Sequence, residues 1–170
     1  MQKDTETQTQ VLLISIKPCY IEKILDGNKT IELRKTKPKL KTDDFILVYA
    51  SSPKKAIIGW LKVKKIIDDT PRKLWSQVKK KAGVTKKEFD LYYKNSKLAV
   101  AICFDLKYTT DLSLNTVRQR WENFNPPQSF HYLKLEEVYL AESITGYSIL
   151  EETENLSPDC EESDSPRFSI

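Results

Sequence analysis

The sequence predicts an α+β fold in which a closed or nearly closed β-barrel carries peripheral helices. Three observations lead to this fold class. The longest apolar runs have the length of strands, as in VLLISIK (11–17), FILVYA (45–50) and LAVAICFDL (98–106). Most of the predicted strands are joined by short loops. Helical patterns occur only near the start, in the middle and near the end, so a repeating βαβ arrangement is not expected.

The first predicted elements are a strand and a helix. Residues 11–17 form an apolar run typical of a buried strand. Pro18 suits the first turn of a helix that places Ile21 and Ile24 on one face, and Gly27 is a helix-ending residue. We therefore expect a helix over residues 18–27 that packs against the barrel.

The next segment, GNKTIELRK (27–35), predicts a strand with two chemically different faces. Alternate side chains of a strand point to opposite sides, so Ile31 and Leu33 share one face. The other face holds the polar residues Thr30, Glu32 and Arg34. We expect the apolar face to be buried and the polar face to line a cleft, with Lys17 and Lys29 at the rim, where a lysine buries almost nothing.

The remaining elements are predicted from apolar runs and from the glycines and turn residues that interrupt them. Residues 37–45 are a polar turn region, 56–67 a long strand, and 71–94 two helices with Gly83 as the break between them. Gly59 marks a bulge or a close approach. A short helix over 114–121 and a rigid turn over 125–127 come next, and the chain up to about residue 149 is predicted to return a strand to the sheet.

Charge divides the chain of 170 residues into a basic body and an acidic end. Residues 151–170 hold seven acidic residues and one Arg, a net charge of −6. Because the net charge of the whole chain is +4, residues 1–150 carry +10. We expect a disordered lead over 1–10, a single domain over 11–149 and a disordered acidic tail over 150–170. The basic body favours an anionic partner such as nucleic acid, and a lysine-rich solvated surface is the alternative.

The number and spacing of the cysteines and histidine indicate whether a metal site is expected and in which cellular compartment the protein is expected. Cys19, Cys103 and Cys160 are far apart, and His131 is the only histidine. The sequence therefore predicts no metal site and calls for no cofactor. The odd cysteine count and a polar opening without a signal-like core favour a cytoplasmic protein with no membrane segment. The oligomeric state is not indicated.

Three segments resemble the ASCH domains, a family with the PUA-like β-barrel fold. They are LLISIKPCYIEKILDGNKTIELRK (12–35), VYASSPKKAIIGW (48–60) and PPQSFHYL (126–133). The first carries the family's strand, helix and G-x-K-T-x-E-x-R strand. The resemblance implies a PUA-like barrel with peripheral helices, a cleft walled by the first helix and the G-x-K-T strand, and a role on RNA, nucleosides or another nucleic acid.

Residue chemistry places candidate binding residues at one end of this barrel. Lys17 ends a strand, and Lys29 and Thr30 begin the next, so a helix packed across the barrel brings them together. Arg34 and Glu32 project from the same strand face as Thr30. Arg grips phosphate or a base edge bidentately, whereas Lys acts as a point charge. Alternatively, this face is solvated and its charges only pair across strands.

Further binding candidates come from two other segments. Ser51, Ser52 and Lys54 lie around a turn that offers hydroxyls and backbone N–H groups to an anion or a base edge, although on spacing alone an ordinary Ser-Pro turn is the better explanation. Phe130 and Tyr132 share one predicted strand face and are candidates for stacking on an unpaired base. A lysine run forms a candidate backbone footprint or a solvated face, and it comprises Lys79, Lys80, Lys81, Lys86 and Lys87.

Three functions fit these features. The first is a module that binds RNA, a nucleotide or a modified base. The second is a hydrolase acting on RNA or on acylated nucleosides, with Lys29, Glu32 and Thr30 in the site. Some ASCH-like amidohydrolases use a Thr, a Lys and a Glu; the Lys matches Lys29, but the position expected for their Thr holds Glu32, and the segment expected to supply their Glu reads KKKAGVTKK. The third is a scaffold whose acidic tail folds over its own basic face.

Overall fold

The computed structural model describes residues 8–154, which form six strands and six helices. In chain order they are β1 (Val11–Ile16), α1 (Pro18–Leu25), β2 (Ile31–Arg34), β3 (Phe45–Ala50), β4 (Ala56–Asp69), α2 (Pro71–Val78), α3 (Lys86–Tyr92), β5 (Ala99–Ser113), α4 (Leu114–Arg120), β6 (Phe130–Tyr132), α5 (Leu135–Thr145) and α6 (Ile149–Glu154). Most of the lead and of the acidic tail predicted from the sequence, residues 1–7 and 155–170, lies outside the described residues.

All six strands belong to one mixed sheet with the order β2-β5-β4-β3-β1-β6. The pair β1–β3 is parallel, and the other neighbours are antiparallel. The sheet curls into a half-barrel, the PUA-like arrangement, with β2 and β6 as its edges within residues 8–154. The predicted α+β class and barrel-like fold are confirmed.

The two long strands, β4 and β5, bend the sheet through irregular pairing. Their register shifts at three places, one of them between Ile57 and Gly59. Gly59 has φ +153°, and a Cβ there would lie 2.0 Å from the carbonyl oxygen of Tyr108. Only glycine allows this approach of two backbones, so the predicted bulge or close approach is confirmed.

Both faces of the central strands are covered, which explains their continuous apolar sequences. On one face, alternate residues of β1 and β3 pack against Ile21 and Ile24 of α1. On the opposite face, the intervening residues pack against Val117 of α4, Val138 of α5 and Ile149. A third cluster joins β2 and β5 to α2 and α3 through Ile31, Leu33, Leu74, Val78, Phe89 and Tyr93. Helices α1, α2 and α3 therefore surround β2.

The predicted break between two helices at Gly83 is confirmed. Gly83 has φ +68° and lies between α2 and α3. Helix α3 then begins with a capping box in which the side chain of Thr85 accepts from the backbone N–H of Glu88. The carboxylate of Glu88 in turn accepts from the N–H of Thr85, which fixes where α3 begins.

The prediction that the chain up to about residue 149 returns a strand to the sheet is confirmed for β6, which pairs with β1 but has only three residues. The chain then forms α5 and α6 and does not continue as a strand. Val138, Ala141 and Thr145 are buried at helical spacing, and Gly146 ends α5 with φ +73°. Within the described residues, none of the helices is both long and apolar enough to cross a membrane.

Candidate functional site

A cleft of about 330 Å³ opens beside β2, between α1, α3 and the segment that precedes β6. Tyr20 of α1 and Tyr92 of α3 line its walls, and Gln128 closes another side. Lys29, Glu32 and Arg34, from the turn before β2 and from β2 itself, also line it. The volume lies within the range of small-molecule sites, near its lower end.

A buried charge cluster, Lys29–Glu32–Arg34, lies in this cleft. The ammonium of Lys29 is 3.3 Å from Oε2 of Glu32, and Nη2 of Arg34 is 2.9 Å from Oε1 of the same carboxylate. The side chains of these three residues are 2%, 11% and 12% exposed, respectively. Glu32 therefore pairs with two cations in a poorly solvated site, where electrostatic interactions are weakly screened.

Lys29 is bound by backbone as well as by Glu32. Its ammonium donates to the carbonyl oxygens of Ile31 and Ala82, each at 2.7 Å. Burial lowers the pKa of Lys29 below its usual range, and the nearby Glu32 carboxylate opposes part of this effect. With three partners, all three donors of the ammonium are engaged.

Arg34 joins the two sides of the half-barrel. Its Nη2 donates to the carbonyl oxygen of Ser15 on β1 at 3.2 Å, and its Nη1 donates to Oγ of Ser129, just before β6, at 3.1 Å. β2 and β6 are opposite edges of the sheet, so this guanidinium spans the opening between them. Its buried Nε has no hydrogen-bond partner among the described residues.

Two tyrosines of the cleft wall lie close to cations. The ammonium of Lys29 is 5.5 Å from the ring centroid of Tyr20, and that of Lys35 is 5.0 Å from the centroid of Tyr92. Burial raises the pKa of both phenols, so they stay neutral donors and acceptors at ordinary pH. An aromatic wall above a charged floor suits a planar, polar ligand.

The sequence-predicted candidates divide into two groups. The cleft is lined by Lys17, Lys29, Glu32, Arg34 and Ser51. The other candidates are not among the described residues that line it, and they are Thr30, Ser52, Lys54, Phe130 and Tyr132. The ammonium of Lys54 instead pairs with Asp111 at 2.5 Å, and the hydroxyl of Tyr132 accepts from the N–H of Lys39. Phe130 packs against the core.

One expectation about this face of β2 is wrong. Lys29 was expected at the rim of the cleft and is 2% exposed. The solvated-face alternative also fails, because Glu32 is 8% exposed and α3, with the turn before it, lines the cleft over this face of β2.

Sequence reasoning missed several residues of the cleft. Tyr20, Glu88, Phe89 and Tyr92 line it, and none of them was among the binding residues predicted from the sequence. Glu88 follows directly on KKKAGVTKK, the segment in which no acid was found. Its capping role with Thr85 was readable from the T-x-x-E spacing, and its place at the cleft was not.

The family is decided by a match to known domains. The model of the ASCH domain matches residues 14–113. This chain belongs to the ASCH domain family. The matched region contains β1 to β5 and the whole Lys29–Glu32–Arg34 cluster.

The chain is also similar to known proteins over most of its length. An ASCH domain-containing ribonuclease of Zymomonas mobilis is 28% identical over 135 residues, which cover 79% of this chain and 91% of that protein. The large ribosomal subunit protein uL22 of Ureaplasma parvum is 28% identical over 138 residues, and the matched region is 42% of its length. The crystal structure of ASCH from Zymomonas mobilis superimposes with a TM-score of 0.74 at 27% identity, covering 81% of this chain and 96% of that one.

Proposed function

We propose that this ASCH protein binds RNA and that its cleft holds one nucleotide of an unpaired strand. The observation that supports this most directly is the Lys29–Glu32–Arg34 cluster, which lies beneath aromatic walls in a cleft of about 330 Å³. Single-stranded RNA is recognised through bases that stack on aromatic rings and present their edges to polar groups. The cleft offers both kinds of contact.

The charge of the body supports an RNA strand over a free neutral ligand. Residues 1–150 carry +10, and the exposed run Lys79–Lys81 leads directly into Ala82, whose carbonyl holds Lys29. Lysines beside the cleft would contact phosphates of flanking nucleotides. The name of the Zymomonas mobilis relative, a ribonuclease, is consistent with RNA as the polymer.

Binding is tested with short fluorescent RNA oligomers in an anisotropy titration at several salt concentrations. The logarithm of the affinity should fall linearly with the logarithm of salt concentration, by about 0.7 per phosphate neutralised. Replacing Lys80 and Lys81 together by Ala should flatten this slope. A matched control removes two positive charges on the α4–α6 side, Lys107 and Arg120, and should leave the slope unchanged. The absence of RNA binding would contradict the proposal.

A ribonuclease is the second candidate function, and the relative's name is the observation that favours it. In that case Glu32 would act as general base and the remaining N–H of Arg34 would meet the phosphate. Hydrolysis of acylated nucleosides is less well supported, because Thr30, the candidate hydroxyl, is not among the described residues that line the cleft.

One substitution separates the two functions. Glu32→Gln keeps the shape of the side chain and removes its charge. In a ribonuclease it should abolish cleavage of a labelled RNA while binding persists, and in a binding protein the RNA stays intact with either form. Cleavage that survives in Glu32→Gln would exclude Glu32 as the base.

A further inference from the structure

We infer that the floor of the cleft reads a base through its N–H donors, and that guanine is the base it accepts best. This inference rests on the proposed RNA binding and specifies what the cleft selects. It follows from which polar groups of the Lys29–Glu32–Arg34 cluster are already engaged by the protein and which are still available to a ligand.

Lys29 has no donor left for a ligand. Its ammonium carries three N–H groups. The carbonyl oxygens of Ile31 and Ala82 take two of them at 2.7 Å, and Oε2 of Glu32 lies 3.3 Å away as the third partner. A phosphate could reach this ammonium only by displacing a buried carbonyl, which would then lack a partner. Lys29 therefore positions Glu32 and does not grip a phosphate.

Arg34 is nearly saturated as well. Of its five N–H groups, those of Nη2 meet Glu32 and the carbonyl of Ser15, and one of Nη1 meets Ser129. The Nε group is buried away from solvent. A single N–H on Nη1 is left, which is enough for one acceptor atom and too little for bidentate binding of a phosphate.

Glu32 is the group that still has hydrogen-bond acceptor positions available to a ligand. Each carboxylate oxygen has two acceptor positions, and each is matched to one cation of the cluster. One position therefore remains on each oxygen. The side chain is 11% exposed and lines the cleft, so a ligand can reach it. The floor thus presents two neighbouring acceptors and one donor.

Guanine carries the complementary set on its Watson–Crick edge. Its N1–H and its 2-amino group are adjacent donors, and O6 beside them is an acceptor. Adenine and cytosine present one exocyclic amine beside acceptors, and uracil presents a single N–H between two carbonyls. Guanine is therefore the base that can use both acceptor positions of Glu32, held between the walls formed by Tyr20 and Tyr92.

The test compares RNA pentamers that differ at the central base. Guanine, inosine, 1-methylguanine, adenine and uracil are placed between flanking uridines, and affinities are measured by anisotropy at one salt concentration. The pentamer with guanine should bind about 5- to 150-fold more tightly than the others, the range expected for a bidentate base contact. Inosine lacks only the 2-amino group, and 1-methylguanine carries a methyl group in place of the N1 proton, so these two bases probe the two proposed contacts separately.

Glu32→Gln is the matched variant, since its amide offers one acceptor and one donor where the carboxylate offers two acceptors. The guanine preference should fall to less than twofold in this variant. Equal binding of guanine and inosine by the unaltered protein would overturn the inference and leave RNA binding intact. A guanine preference that persists in Glu32→Gln would also overturn it. Failure of every pentamer to bind would overturn the proposed function itself. The comparison of bases on the unaltered protein stays decisive if the variant does not fold.

Discussion

Gly83 lies directly against the side chain of Lys29. A β-carbon built at position 83 would be 2.9 Å from Cβ of Lys29 and 3.1 Å from its Cγ and Cδ. The turn between α2 and α3 is therefore the surface on which the stem of the buried lysine rests. This contact links the helices of residues 71–92 to the position of the charge cluster.

We predict that Gly83→Ala lowers the free energy of unfolding by about 2–3 kcal/mol, which urea denaturation would measure. About 1 kcal/mol reflects the positive φ of +68°, which alanine adopts poorly. The remainder reflects overpacking against the stem of Lys29.

Gly27 provides the control for this prediction. It also has a positive φ, +82°, but a Cβ there would meet nothing within 4 Å. Gly27→Ala should therefore cost only the conformational part, about 1 kcal/mol. If both substitutions cost the same, the contact between Gly83 and Lys29 has no energetic consequence.

We also predict that Lys29→Met destabilises the protein by about 3 kcal/mol in the same measurement. The substitution keeps much of the buried stem but leaves Glu32 with one cation and two buried carbonyls without their donor. The exposed pair of Lys54 and Asp111 is the comparison, and Lys54→Met should change stability by less than about 0.5 kcal/mol. A similar small effect of Lys29→Met would show that the cluster adds little to folding.

Local patterns in the sequence were sufficient to bring the charged residues of the candidate site together. The two-residue period of a strand placed Glu32 and Arg34 on one side, and the turn before the strand added Lys29. Burial of this face could not be predicted in the same way. It depends on the carbonyl of Ala82, which lies 53 residues further along the chain.

The aromatic walls of the cleft were not identified from the sequence, for a related reason. Helical spacing indicates only which residues share a face of a helix, and Tyr92 borders both the core and the cleft. Phe130 and Tyr132 were preferred because they share a predicted strand face. In the structure, β6 pairs with β1 in a register that turns the Tyr132 hydroxyl toward the Lys39 N–H, away from the cleft.

The pH dependence of stability should reveal the buried ammonium. Because burial lowers the pKa of Lys29 in the folded state, the unfolded chain binds more protons as the pH approaches 10.5. The free energy of unfolding must then rise with pH between the folded-state pKa of Lys29 and its ordinary value. Below that range the ammonium is charged in both states, and the full cost of burying the charge is present.

Lys29→Met lacks this titration and is the reference. The stability of the unaltered protein relative to Lys29→Met should increase as the pH rises toward about 10.4, the usual pKa of a lysine. Urea denaturation of both proteins across this range measures the difference. A difference that stays constant or shrinks as the pH rises would contradict the direction of the pKa shift.

Stacking in the cleft gives the final prediction, because the two candidate aromatic sites lie apart. Tyr92 lines the cleft and is 40% exposed, and Tyr132 is 37% exposed outside the lining. Tyr92→Ala should weaken RNA binding by about 1–3 kcal/mol, the usual cost of removing one stacking partner of a base. Tyr92→Phe retains the ring and should bind nearly as well as the unaltered protein. Tyr132→Ala removes an aromatic ring of similar exposure and should leave RNA affinity unchanged.

Anisotropy titrations of the three variants, with thermal melts to establish that each is folded, decide between the sites. A loss of affinity in Tyr132→Ala and none in Tyr92→Ala would place the stacked base on β6 and exclude the cleft as its binding site.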